Sequence, residues 1–281
     1  MVAALALLAT LGSWACAHGP HGTSTSYGAD WRDAPRSDSA TIALYRLDET
    51  AGVVCQDDGP QRLNGTYGID SRSSFGRFQH GRLFKSSLDS WVYVPGAPAL
   101  DFGTAWSIEA WIKADAFSAV ECSVIASRWS PESVEQSWLF GLTGYQRQFI
   151  SGAPVPPALF ARIMPAGPPG TVLVVIQPAA ASGPRVYQST IAIDLNRWTH
   201  VAVTEDGTVL RIFIDGRLDS QFAITGGVRP SDAPLVLGNM IDSRWLTESE
   251  GSLRVMNRVD LYPFYAFQGT LDELRISSGA R

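Results

Sequence analysis

The stretch that decides the fold is residues 195–216, LNRWTHVAVTEDGTVLRIFIDG. Val201 and Val203 alternate with His200, Ala202 and Thr204, and period-two alternation puts the two sets on opposite faces of a β-strand. Glu205-Asp206-Gly207-Thr208 has the composition of a hairpin turn, residues 209–214 return, and Asp215-Gly216 is a second tight-turn signal. The segment therefore reads strand, turn, strand, turn. Working outward, residues 107–113 (SIEAWIK) repeat the alternation, with Ile108, Ala110 and Ile112 on one face and Glu109, Trp111 and Lys113 on the other. Similar short runs lie at 41–47, 91–94, 123–127, 137–142, 158–164, 171–177, 186–193, 235–238 and 269–277, bounded by Gly, Pro, Asp or Asn. No long stretch after Thr41 repeats apolar residues at helical spacing. Many short strands between frequent turns predict an all-β, two-sheet antiparallel β-sandwich. Six prolines between Gly144 and Gly170 break regular pairing, because proline cannot donate to a ladder, and a polar, aromatic stretch runs from 241 to 263; both read as long loops.

The chain has 281 residues, 45% apolar and 17% charged, with a net charge of −5. The apolar share excludes disorder, and the low charged share excludes coiled coils and long charged helices. An acidic balance argues against nucleic acid, which selects a basic face. Residues 2–11 are uninterrupted apolar or small, too short to span a bilayer but the size of a signal-peptide core. Two processing readings stay open. Ala15-Cys16-Ala17 fits ordinary signal peptidase, whereas Ser13-Trp14-Ala15-Cys16 resembles a lipobox that would lipidate Cys16. Residues 1–16 are then a signal peptide, and residues 17–40, rich in Gly, Ser, Thr and Pro, a flexible tether. Residues 41–281 form one domain. The expected location is the cell envelope, through a lipid anchor, or the extracellular space. Without Cys16 the cysteine count becomes even, and a Cys55–Cys122 disulfide is permitted in an oxidising compartment. Two buried thiols are the alternative.

Five motifs in order resemble the laminin-G-like branch of the concanavalin A-like jelly rolls: ALYRLDETAGVVCQDDGPQRLNGTYG (43–68), GRLFKSSLDSWVYV (81–94), SIEAWIK (107–113), the 195–216 stretch, and FQGTLDELRI (267–276). Each mostly encodes strands and turns, but their order spans nearly all of 43–277. The resemblance implies a jelly roll and, most commonly, carbohydrate binding. It also implies a structural Ca²⁺ between the first and last strands. Asp272 of the closing motif and Asp57 or Asp58 of the Gly-rich turn supply candidate oxygens, helped by carbonyls near Asp48.

Related glucanases place two carboxyls on alternate residues of one strand, as retaining glycosidases need them about 5–5.5 Å apart. No Glu-x-Asp-x-Glu run is present: Glu132/Glu135 and Glu248/Glu250 fall in loop-like stretches, and His200 reads as a packed, hydrogen-bonded sandwich histidine. The chain is therefore expected to bind without catalysing. Sugar sites pair flat aromatic faces with a few placed polar groups. The 241–263 loop offers Asp242, Arg244, Trp245, Asn257, Arg258 and Tyr262, and a separate stretch offers Trp129 and Trp138; Trp245 is the leading contact, while Trp106, Trp111 and Trp198 read as core. The ligand would be a glycan or a cell-surface protein. The rival reading is a structural or adhesion role within the envelope, with no small ligand.

Overall fold

The computed structural model describes residues 27–28, 30–130, 135–145, 149–150, 153–154, 167–249, 252–256 and 265–281. In chain order its strands are β1 (Thr41–Tyr45), β2 (Val54–Cys55), β3 (Gly65–Tyr67), β4 (Arg72–Phe75), β5 (His80–Phe84), β6 (Val92–Val94), β7 (Trp106–Ala116), β8 (Cys122–Trp129), β9 (Gln136–Thr143), β10 (Phe149–Ile150), β11 (Ala153–Pro154), β12 (Thr171–Ile176), β13 (Arg185–Ala192), β14 (Thr199–Glu205), β15 (Val209–Ile214), β16 (Arg217–Ala223), β17 (Leu235–Leu237), β18 (Leu246–Ser249), β19 (Ser252–Val255) and β20 (Gln268–Ser277). Sixteen of them form two eight-stranded sheets, and β10–β11 and β18–β19 are two-stranded hairpins. The front sheet runs β16-β15-β14-β7-β20-β5-β4, with β1 added on β20, and the back sheet runs β13-β12-β9-β8-β17-β6-β3-β2. Every pairing between named strands is antiparallel. The fold class is the expected one.

The alternation that predicted the strands also builds the core. Ile108, Ala110 and Ile112 of β7 and Val201 and Val203 of β14 face inward against Phe140, Leu142, Val172 and Val174 of the back sheet, and all are buried. In the deciding stretch, β14 and β15 pair with Val203 opposite Ile212. Asp206 Oδ1 accepts the amides of Thr208 and Val209 at 3.1 and 2.9 Å, which fixes the hairpin turn. Asp215 (φ 48°) and Gly216 (φ 70°) are both left-handed, as the favoured two-residue hairpin turn requires, and launch β16.

Three expectations change. Trp138 is no sugar contact: strand alternation on β9 turns it into the core, where its ring stacks on Phe102 at 5.3 Å. Cys55 and Cys122 are separate buried thiols, not a disulfide. They lie on β2 and β8, four strand positions apart in the back sheet, or roughly 19 Å at the usual strand spacing. A disulfide needs Cα atoms within about 7 Å. The supposed tether packs from residue 27 onward: Tyr27 and Trp31 cover Ala202 and Phe213 on the outer face of the front sheet. Residues 1–26, including Cys16, and the expected strand at 158–164 lie outside the described residues. Among the described residues, no helix is long and apolar enough to cross a membrane.

Candidate functional site

The described part of the loop expected to hold a ligand instead covers the back sheet. Trp245 is 7% exposed and packs with Trp91, Val236, Ile241 and Val255 beneath the β18–β19 hairpin. Its ring is structural, not a platform open to a sugar. Asp242 caps the short 3₁₀ turn Ser243–Trp245, with Oδ1 accepting the Arg244 amide at 2.9 Å and Oδ2 paired to Arg244 Nη2 at 2.7 Å. Burial opposes its ionisation, but bonds from Arg244 and Ser130 prevail and lower its pKa to about 2. Trp129 is buried in an apolar cluster on the back sheet's outer face. Tyr262, Asn257 and Arg258 lie outside the described residues.

Each calcium candidate already engages groups of the protein. Asp57 is fully buried and spends both oxygens on main-chain amides: Leu44 and Gly59 at 2.8 and 2.7 Å, and Leu63 at 2.8 Å. Asp58 pairs with Arg46 at 2.8 Å. Asp272 Oδ2 accepts the Phe78 amide at 2.8 Å, and burial pushes this carboxyl up to about 8. Among the described residues, no three acidic, histidine or cysteine side chains cluster as metal ligands.

A different site arises on the outer face of the front sheet. Register sets His200 of β14 opposite Trp111 of β7, and Glu109 of β7 lies between Ala202 of β14 and Arg275 of β20. Three adjacent strands thus bring one glutamate, one histidine, one arginine and one indole together on a face that should meet water. Glu109 Oε2 bonds His200 Nε2 at 2.9 Å, and its other oxygen pairs with the Arg275 guanidinium. Burial works against the Glu109 charge, but these two partners outweigh it and hold the carboxyl below its ordinary value. An ionised Glu109 makes Nε2 the donor, so Nδ1 of a neutral ring is an acceptor. Nδ1 has no partner, and neither has the Trp111 Nε1–H.

Residues 27–38 arch over this floor. The Tyr27 ring lies 5.3 Å from both His200 and Phe213, and Trp31 stacks on Trp111 at 5.8 Å and 27°. The Arg77 guanidinium lies over Trp111 at 4.7 Å. Between arch and sheet lies a cavity of about 470 Å³, walled by Tyr27, Trp31, Glu109, Trp111, His200 and Arg275 among others. Its charges are largely neutralised within the protein: Glu109 by Arg275, Glu273 by Arg46 at 3.0 Å, and Asp38 by Arg281 at 2.6 Å. Burial lifts Glu273 to about 7 despite Arg46. The expectation of a packed, hydrogen-bonded His200 holds. Sequence reasoning missed that this packing builds a wall. The available signal was that two neighbouring strands alternate aliphatic residues with Glu, Trp and His, not with solvent-facing residues. A second signal was YGADW, two aromatics within the polar stretch 27–31.

The comparisons agree with this architecture. Residues 168–281 match a laminin-G-type family model described as the concanavalin A-like lectin/glucanases superfamily. No curated protein matches the chain. The binding domain of Paraclostridial Mosquitocidal Protein 1 superposes with a TM-score of 0.57 at 12% identity, over 86% of this chain and 49% of that one. Domain 4 of an extracellular arabinanase from Geobacillus stearothermophilus, solved with arabinotriose, gives 0.55 at 16% identity, over 86% and 93%. A botulinum neurotoxin type C structure, whose description ties cell entry to two ganglioside molecules, gives 0.54 at 12%, over 86% and 48%. The chain spans about half the length of the toxin structures and nearly all of the arabinanase domain. At such identities the likeness is one of fold, and the fold is the concanavalin A-like jelly roll, with the laminin-G-type signature carried by residues 168–281.

Proposed function

We propose that the protein is a non-catalytic binding module that takes a neutral oligosaccharide, part of an extracellular or cell-surface glycan, in the cavity beneath residues 27–38. The observation that carries this reading is the lining: a cavity of about 470 Å³ is walled by Tyr27, Trp31, Trp111 and His200, and three polar atoms of these residues, Tyr27 Oη, Trp111 Nε1 and His200 Nδ1, are buried without a partner. Preformed sites of roughly 300–1,000 Å³ with a few placed polar groups are typical of small-ligand binding. Trp111 Nε1–H would donate to a sugar hydroxyl and His200 Nδ1 would accept from one. Because the buried charges have partners, an uncharged ligand leaves none of them stranded. The arabinanase domain solved with arabinotriose makes that trisaccharide the first probe. A glycan array followed by calorimetric titration, starting with arabinotriose, tests the reading. Binding that weakens at least tenfold in Trp111→Ala supports it, and silence across all glycans rejects it.

One observation favours a second reading. Glu109 and Glu273 line the same cavity with pKa values displaced in opposite directions, the pattern of an acid–base pair. Both carboxylates are held by arginines, which makes binding the better reading. Product release from the bound oligosaccharide, lost in Glu273→Gln, would reverse the order. We also read the protein as exported and anchored through Cys16. Incorporation of a palmitate analogue that disappears in Cys16→Ser tests the anchor.

A further inference from the structure

We infer that residues 27–38 are a gate: the cavity fills and empties by local release of this segment from the front sheet, with Trp31 as its latch. Among its described residues the segment contains no strand, and a single main-chain hydrogen bond joins those of 27–36 to the sandwich, Tyr27 N–H to the Gly216 carbonyl at 2.9 Å. Its other polar ties come from arginine side chains on the body. Arg275 Nη1 donates to the Arg36 carbonyl at 3.0 Å and Arg46 Nη2 to the Pro35 carbonyl at 3.3 Å. Beyond them the chain is fastened firmly: Arg281 clamps Asp38, the Asp38 carboxylate accepts the Ala40 amide, and Ser278 N–H donates to the Ala40 carbonyl at 2.8 Å. A segment with few main-chain bonds, ending at a fixed point, opens at lower free energy than the sheet beneath it.

Trp31, together with the buried Tyr27, holds it against the sheet. Its indole lies on Trp111, 5.6 Å from the His200 ring, and so close to the β15–β16 turn that a Cβ on Gly216 would meet it at 2.1 Å. The cavity behind it is walled on one side by the segment itself, so release of the segment widens the opening through which a disaccharide-sized ligand passes. That the traffic is saccharide rests on the proposed function; the gate does not.

His200 offers a reporter that needs no sugar. It is 2% exposed, and its unpartnered Nδ1 lies on the gated face. The full chain is treated with diethyl pyrocarbonate and modification of each histidine followed by peptide mass mapping, with the partly exposed His80 as internal reference. With the gate, His200 is modified under native conditions at a rate that low urea does not change, and Trp31→Ala raises that rate about tenfold or more relative to His80. A rate equal in wild type and variant, or one that appears only at the urea concentration that unfolds the sandwich, overturns the proposal. If Trp31→Ala does not fold, chymotrypsin on the wild type decides: cleavage after Tyr27 or Trp31 with the body intact supports the gate, and resistance until global unfolding refutes it. Arabinotriose that slows His200 modification would support both readings. A mobile segment with no glycan bound by any method would keep the gate and remove the saccharide.

Discussion

Single residues in this fold take roles that their chemistry alone does not announce. Asp57 resembles a metal ligand by type and position, yet its oxygens accept three amides, one of β1 and two of the turn between β2 and β3. Removing it strands those amides in a buried place. Asp57→Ala should therefore cost about 2–3 kcal/mol, read as a lower urea midpoint with an unchanged slope, and calcium should not restore it. Asp272 makes a pH prediction with a definite sign. Burial raises it from 3.8 to about 8, so the folded state binds its proton more tightly than the unfolded chain. Its contribution is complete below about pH 4 and is lost as the pH rises toward 8. Glu273, lifted to about 7, acts in the same direction, whereas Asp242, lowered to about 2, stabilises the fold above its ordinary range. Asp272→Asn should thus melt higher than wild type at pH 8, by about 2–4 °C for each kcal/mol gained. That gain should shrink toward zero at pH 4. An equal difference at both pH values would place the effect outside the titration.

At the scale of elements, Gly216 joins a turn to a packing contact. Its φ of 70° and the approach of the Trp31 indole both exclude a side chain. Gly216→Ala should lower stability by about 1 kcal/mol or more and should expose His200 to modification as Trp31→Ala does. The strands of the core were legible in the sequence where alternation, as on β7 and β14, is a direct print of inside and outside. The motif order from residue 43 to 277 gave the architecture. Short edge pieces such as β2 and β4 were not legible, since two to four residues carry too little pattern. The candidate site was hidden for a related reason. Periodicity says that Glu109, Trp111 and His200 face away from the core, but not that a segment far upstream returns to cover them. Composition alone read residues 17–40 as tether, although Tyr27 and Trp31 were its aromatic exceptions. Trp245 misled in the opposite way: an aromatic in a polar loop suggests a binding platform, but here the loop had a bare sheet face to cover.

The whole molecule is a sandwich whose two outer faces are both roofed, the back by the Trp245 loop and hairpin and the front by residues 27–38. Its stability owes nothing to a Cys55–Cys122 bridge. Both thiols are driven up by burial and should resist alkylation in the folded chain, then react together on unfolding. Dithiothreitol should leave the melting temperature unchanged; a drop of several degrees would reveal a disulfide. The front roof walls one side of the cavity on which the functional reading depends, and the back roof buries Trp245 and Asp242, which first suggested one. These two faces give opposite predictions in one experiment: calorimetric titration of the glycan selected on an array, arabinotriose first, against wild type, Trp111→Ala and Arg244→Ala. The account predicts at least a tenfold loss of affinity in Trp111→Ala and wild-type affinity in Arg244→Ala; affinity kept in the first and lost in the second would contradict it.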